Sequence, residues 1–255
     1  MTLPNEVRDL ALRLGADPSR VTGHSVLRQE GEMKLSLASQ RWHRFSARQT
    51  MAVTSCAFDW HARFWPLGYL SVTDALKAGK GQLDVTALGV IPLVRSAPSV
   101  ALTKGEMLRY LAELPFAPDA ILHNRGLSWR VIGTNQLAVR CGPSAMQAEV
   151  VFALNAAGRV ASATAHDRPR AVKAPYLPTP WRGEFSDYRL QQGRWVPFAG
   201  QVAWIINGVE VPYWRGVLSH WSMAAPPFAT LPVALVTSGT QNSGSRPHMF
   251  QGTKT

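Results

Sequence analysis

The sequence predicts an α+β fold that is mainly β: a curved antiparallel sheet, a half-barrel or open barrel. Two or three helices would cover or plug its concave face. Three observations predict this. Short segments in which apolar and polar side chains alternate recur along most of the 255 residues. Hairpin turn signals separate several of them, clearest at Asn207-Gly208. Helical periodicity is confined to a few stretches, so strands must build the body.

The first element is a helix. Val7, Leu10, Ala11 and Leu14 fall at i, i+3, i+4 and i+7, with Pro4 near its start and Gly15 just past its end. Residues 1–22 are expected to pack on the body as a helical segment. A single sheet domain, 23–224, follows. Val26–Leu37 alternates Met33, Leu35 and Leu37, and Gly31 marks a bulge or tight turn. In residues 57–64, Phe58, Trp60, Ala62 and Phe64 alternate with Asp59, His61 and Arg63, which puts the aromatics on one face of a strand. Tyr69–Asp74 and Gln82–Val90 flank a turn at 78–81.

A second helix follows. Thr103-Lys104-Gly105-Glu106 has capping-box spacing, Leu108–Leu114 continues it, and Pro115 ends it. Ala117–Leu122 adds a further helical turn. Then come Leu127–Ile132, Leu137–Cys141, Gln147–Leu154 and Arg159–His166, a proline-rich crossing at 168–180, and Phe185–Leu190. Trp195–Phe198, Val202–Ile206, Val209–Trp214 and Val217–Trp221 complete the strand candidates. Residues 225–255 lose all periodicity and read as a loosely attached or disordered tail.

Composition narrows the function. The net charge is +11, with six lysines against 21 arginines. Such a balance favours anionic partners. However, the arginines lie in ones and twos, with no basic block, zinc-finger spacing or RNA-recognition signature. Nucleic acid is therefore set aside, and the charge is read as solvated surface or carboxylate recognition. The two cysteines, 56 and 141, form no disulfide framework and read as small hydrophobes. The N-terminus lacks an apolar signal core, and there is no apolar run of about 18 residues for a membrane span. The default location is cytoplasmic. Phosphate-binding glycine loops, a nucleophile elbow, HExxH and CxxC are all absent, so no cofactor and no metal are expected.

Several motifs carry a resemblance. They are Gly31–Leu35, Trp-His-Arg-Phe-Ser-Ala-Arg-Gln at 42–49, Phe-Asp-Trp-His-Ala-Arg at 58–63 and Leu-Arg-Tyr-Leu-Ala-Glu at 108–113. Pro-Trp-Arg-Gly-Glu-Phe-Ser-Asp-Tyr at 180–188, Val-Ala-Trp at 202–204 and Tyr-Trp-Arg-Gly at 213–216 follow in order. Together they resemble a bacterial family of domains of unknown function over residues 3–222. His43, where a proline is more usual, and Ala75-Leu76-Lys77 after Asp74 depart from its pattern. The resemblance implies a curved-sheet fold similar to lipoprotein-carrier half-barrels, and it implies no activity.

The candidate site is an aromatic-lined pocket. Arg109 and Glu113 lie at i, i+4 on the second helix, opposite its apolar arc, and can meet. If that helix sits inside the sheet, they line the pocket. The expected catalytic groups are Glu113 as acid or base, with Arg109 and Tyr110 or Tyr188 steadying negative charge. Trp42, Phe58, Trp60, Phe64, Trp181, Trp204, Tyr213 and Arg168 are the expected ligand-binding residues. Asp59, His61 and Arg63 are expected to face water. Two functions compete. One is a cofactor-independent lyase or isomerase acting on a small hydrophobic or aromatic compound, with Arg109 able to hold an anionic group. The other is a non-catalytic carrier or sensor of a lipid or aromatic ligand.

Overall fold

The structure is a computed structural model describing residues 3–21, 23–65, 70–87, 91–171 and 176–224. The expected tail, Tyr69 and residues 88–90 lie outside them. One antiparallel sheet dominates. Its first arm comprises β1 (His24–Met33), β2 (His43–Ala52), β3 (Phe58–Trp65), β4 (Leu70–Lys77), β5 (Lys80–Ala87) and β6 (Ile91–Arg95). Its second comprises β7 (Ser128–Gly133), β8 (Gln136–Cys141), β9 (Ala148–Leu154), β10 (Val160–Arg170), β11 (Leu177–Gln191), β12 (Arg194–Ile206) and β13 (Val209–Ala224). The helices are α1 (Asn5–Arg13), α2 (Val100–Ala112) and α3 (Pro118–His123), with a 3-10 turn at Leu114–Phe116.

The strand order is β6-β5-β4-β3-β2-β1-β13-β12-β11-β10-β9-β8-β7. Each arm is a run of hairpins, and the arms join where the first strand pairs with the last. This leaves the chain one way from the edge strand β6 to the opposite edge strand β7: across the sheet. The α2–α3 segment makes that crossing on the inner face. There α2 packs on β4 and β5 of one arm and on β8, β9 and β10 of the other. Most of its residues are buried as a result. The helix plugs the half-barrel, as the sequence predicts.

A row of glycines shapes the centre of the sheet. Reading across β3, β2, β1, β13, β12 and β11, the paired residues are Phe64, Phe45, Gly31, Gly216, Gly200 and Phe185. A Cβ on Gly31 would lie 2.3 Å from the Arg215 carbonyl oxygen and 2.9 Å from the Gly216 Cα. Only glycine allows that approach, and glycine inside a strand marks such a bend. The Trp214 ring covers Gly216, 2.8 Å from where its Cβ would be. Bend and aromatic cover together make room inside the sheet.

The alternation of 58–64 holds. Phe58, Trp60, Ala62 and Phe64 are buried, while His61 and Arg63 are exposed. On the outer face Asp59 pairs with Lys77 at 2.8 Å and with His61 at 3.0 Å. The first helix buries Val7, Leu10 and Ala11 against α3 and β7. Gly15 follows at φ +84°, where a Cβ would lie 2.1 Å from the Gly193 carbonyl oxygen.

Several expectations need correction. Strands β2 and β6 were not separated as elements by the sequence. The pieces 195–198 and 202–206 are one strand, as are 209–214 and 217–221, because Gly200 and Gly216 bend the strands rather than end them. The proline-rich crossing is largely strand: Pro169 faces Pro178 where β10 pairs with β11. The capping box is not used. The helix starts earlier, at Ser99, whose Oγ accepts the Leu102 amide. Thr103 instead accepts the Gly81 amide, which ties α2 to the β4–β5 turn. The two cysteines are free, but an interaction between their thiols shifts both. It holds Cys56 below the usual thiol range and pushes Cys141 above it. Among the described residues no helix is long and apolar enough to cross a membrane.

Candidate functional site

Between α2 and the inner face lies a cavity of about 230 Å³. One wall is Gln29, Met33, Trp60, Asp74 and Leu83, from β1, β3, β4 and β5. The roof is Glu106, Arg109, Ala112 and Glu113 of α2, with Phe116 just beyond. The far wall comes from β10–β13, with Arg168, Trp181, Phe185, Val202, Tyr213 and Trp214. A wider groove of about 700 Å³ crosses the outer face over the same glycine row. It is open to solvent and edged by exposed ion pairs such as Arg215–Glu32. The inner cavity is less open than this groove, desolvates a guest more fully and is the stronger site.

A polar network runs through this apolar setting. Arg109 lies between the rings of Phe58 and Trp60, 4.9 Å from each centroid. Its Nη1 donates to Asp74 Oδ2 at 2.5 Å, its Nε to Glu113 Oε1 at 3.0 Å, and its Nη2 to Gln49 Oε1 at 3.4 Å. Glu113 Oε2 accepts from Gln49 Nε2 at 2.5 Å. Gln29 donates to Gln49 and accepts from the Trp60 indole at 2.9 Å. Burial alone would lower the Arg109 pKa, but the carboxylates of Glu113, Asp74 and Glu106 outweigh it and raise it. The guanidinium is permanently charged, and each of its three nitrogens donates within the network.

Glu106 is the group left over. It is 6% exposed, and its Oε2 has no heavy-atom donor. Asp74 lines the same cavity, and its buried Oδ1 has none either. Burial pushes the Glu106 carboxyl well above the usual carboxylate range. The neighbouring Asp74 carboxylate pushes it the same way, against the pull of Arg168 and Arg109. Both influences favour the neutral, protonated form of Glu106.

The expected site residues divide into two groups. Glu113, Arg109, Trp60, Trp181, Tyr213 and Arg168 line the cavity together. Arg168 stands over Trp181, 4.9 Å from its centroid. The Trp181 indole donates to the Tyr213 hydroxyl at 2.9 Å. The others lie elsewhere. Tyr110 is fully buried on another side of α2, donating to the Ala52 carbonyl and accepting from Asn124. Tyr188 donates to the Val160 carbonyl. Burial raises the pKa of both phenols. Phe58 and Phe64 are buried behind the lining, and Trp204 stacks on Tyr213 at 5.7 Å. Trp42 lies outside, beneath Lys34 and Arg215.

Sequence reasoning missed Gln29, Gln49, Asp74 and Glu106 as site residues. A signal was present. Gln29 follows Leu27 on the inward phase of β1, and Gln49 lies between Ala47 and Met51 on that of β2. A polar residue on the buried phase of a strand needs a partner inside. Glu106 lies three residues before Arg109 and seven before Glu113, hence on their face of the helix. Among the described residues no three His, Cys, Asp or Glu side chains gather closely enough to hold a metal ion.

Fold and site together define a half-barrel protein with an internal, aromatic-walled pocket crossed by one buried charge network. The chain belongs to a family of unknown function (DUF6920), whose model matches residues 1–222. It is similar to the crystal structure of a DUF1329 family protein from Desulfovibrio piger. That likeness has a TM-score of 0.51 and 11% identity, over 85% of this chain and 91% of that one. It is also similar to a LolA superfamily protein from Nitrosomonas europaea, with a TM-score of 0.48 and 9% identity over 87% and 94% of the two chains. No curated protein matches it.

Proposed function

We propose that this protein binds a small amphipathic molecule between α2 and the β10–β13 wall and holds it without transforming it. The observation that carries this reading is the inner cavity itself, with four aromatic rings of the far wall and Trp60 facing a short row of polar groups. Its volume, about 230 Å³, lies just under the range of roughly 300–1,000 Å³ common for small-molecule sites. A short apolar chain fits whole, and a longer one must extend past the rim.

The state of the expected acid/base group supports holding over chemistry. Both oxygens of Glu113 already accept hydrogen bonds, from Arg109 and Gln49. The hydroxyls of Tyr110 and Tyr188 are bound to backbone carbonyls outside the cavity. A lyase or isomerase would have to rely on Glu106 instead.

The test is fluorescence titration with the neutral apolar fluorophore N-phenyl-1-naphthylamine. Binding in the cavity is expected to quench Trp60, Trp181 and Trp214 by energy transfer. Val202→Trp, which fills the far wall, is expected to abolish the signal. Binding that is absent in the parent, or equal in parent and filled variant, contradicts the reading.

A further inference from the structure

We infer that the molecule taken by this cavity carries a cationic head, an alkylammonium on a short apolar tail, seated on the free carboxyl oxygens of Asp74 and Glu106. The inference rests on the binding reading above and adds the chemistry of the head.

The charge balance leads to it. Three carboxyl groups, from Asp74, Glu106 and Glu113, converge on the cavity, and one guanidinium, Arg109, is buried among them. That guanidinium is shared between Asp74 and Glu113 on its two sides. Each nitrogen of Arg109 already donates inside the network, and an anionic head beside it would have to lie against the carboxyl groups of Asp74 and Glu113. Arg168, facing Glu106 from β10, is the other cation, and it is stacked on Trp181. Glu184 also reaches the lining but is paired with Arg182 at 3.1 Å. The place short of a positive charge is therefore the gap between Asp74 Oδ1 and Glu106 Oε2. Both are buried acceptors without a heavy-atom donor.

An ammonium group supplies what that gap lacks. Its N–H groups donate to both oxygens, and an aromatic lining that includes Tyr213 and Trp214 accommodates a cation better than an anion. Without it, the proton on Glu106 serves in its place. When the ammonium enters, that proton leaves for solvent, Glu106 becomes a carboxylate, and no bond to carbon changes. Binding therefore releases a proton. The carboxyl groups do not gather closely enough for a metal ion, so the cation is an organic one.

Isothermal titration calorimetry with n-octylammonium, n-octanol and n-octanoate at near-neutral pH, in phosphate and in Tris, separates the possibilities. Octylammonium is expected to bind at least about tenfold tighter than octanol, the fold-change one charge-assisted hydrogen bond supplies. Octanoate is expected to bind more weakly than either. The buffer dependence of the heat is expected to give release of one proton for octylammonium and none for octanol. In Glu106→Gln, the preference for octylammonium over octanol and the proton release are both expected to disappear. Should that variant fail to fold, the parent's ligand order and proton count decide alone. Octanol or octanoate binding as tightly as octylammonium overturns the inference and leaves the binding reading intact. Failure of all three ligands to bind overturns both.

Discussion

Replacing Glu106 by Gln tests the buried proton through stability. The carboxyl group is 6% exposed and faces Asp74, so its pKa in the folded protein lies well above the ordinary 4.5. The sign follows from which state holds the proton. Below pH 4.5 both folded and unfolded chains are protonated, and the favourable burial of the neutral group is complete. Above it the unfolded chain ionises while the folded one keeps its proton. Stability then falls by about 1.4 kcal/mol per pH unit until the folded group itself ionises. Glutamine keeps a donor toward Asp74 and cannot ionise. The variant is therefore expected to match the parent near pH 4.5 and to become more stable than it by that slope as pH rises. Urea unfolding followed by tryptophan fluorescence, at intervals from acid to neutral pH, measures the difference, in which all other titrating groups cancel. Parallel profiles for the two proteins would refute the reasoning.

Other perturbations probe the rest of the framework. Arg109→Met leaves Asp74 and Glu113 facing each other inside the sheet and is expected to cost about 3–5 kcal/mol by chemical denaturation, with part recovered by adding Asp74→Asn. Gly31→Ala sets a Cβ 2.3 Å from a backbone oxygen of β13, so the central strands must part, and a loss above about 3 kcal/mol is expected. Gly105→Ala, in a helix interior with no atom within 4 Å of the new Cβ, is expected to gain about 0.5–1 kcal/mol. Ser99→Ala removes the true cap of α2 and is expected to cost about 1 kcal/mol.

Much of the architecture was legible because it is local. Alternation in Phe58–Phe64 fixed which face is buried, and Asn207-Gly208 fixed a hairpin. The helix inside the sheet follows from topology once hairpins run to both edges. What escaped was set by neighbours distant in sequence. Gly200 and Gly216 read as breaks, since their use depends on Gly31 lying in the same row of a strand far away in the chain. Thr103 and Glu106 fit a capping box by spacing, but Gly81 and Asp74 draw their side chains elsewhere.

The site was legible by half. The shared helical face of Arg109 and Glu113, which lines the cavity, was legible from their spacing. Its chemistry was not, because Asp74 and Gln49 come from strands of the first arm and occupy both groups. Tyr110 lies one residue from Arg109, yet 100° of helix turns it to Asn124 and Ala52 instead. Glu106 Oε2 and Asp74 Oδ1 are both buried without a partner, which no spacing in the sequence reveals.

The most direct test is a crystal structure of the protein with n-octylammonium. The account predicts the tail among Trp60, Trp181 and Trp214, with the nitrogen within hydrogen-bonding distance of Asp74 Oδ1 and Glu106 Oε2. A ligand lodged only in the outer groove, or an interior closed by repacked side chains, would contradict it.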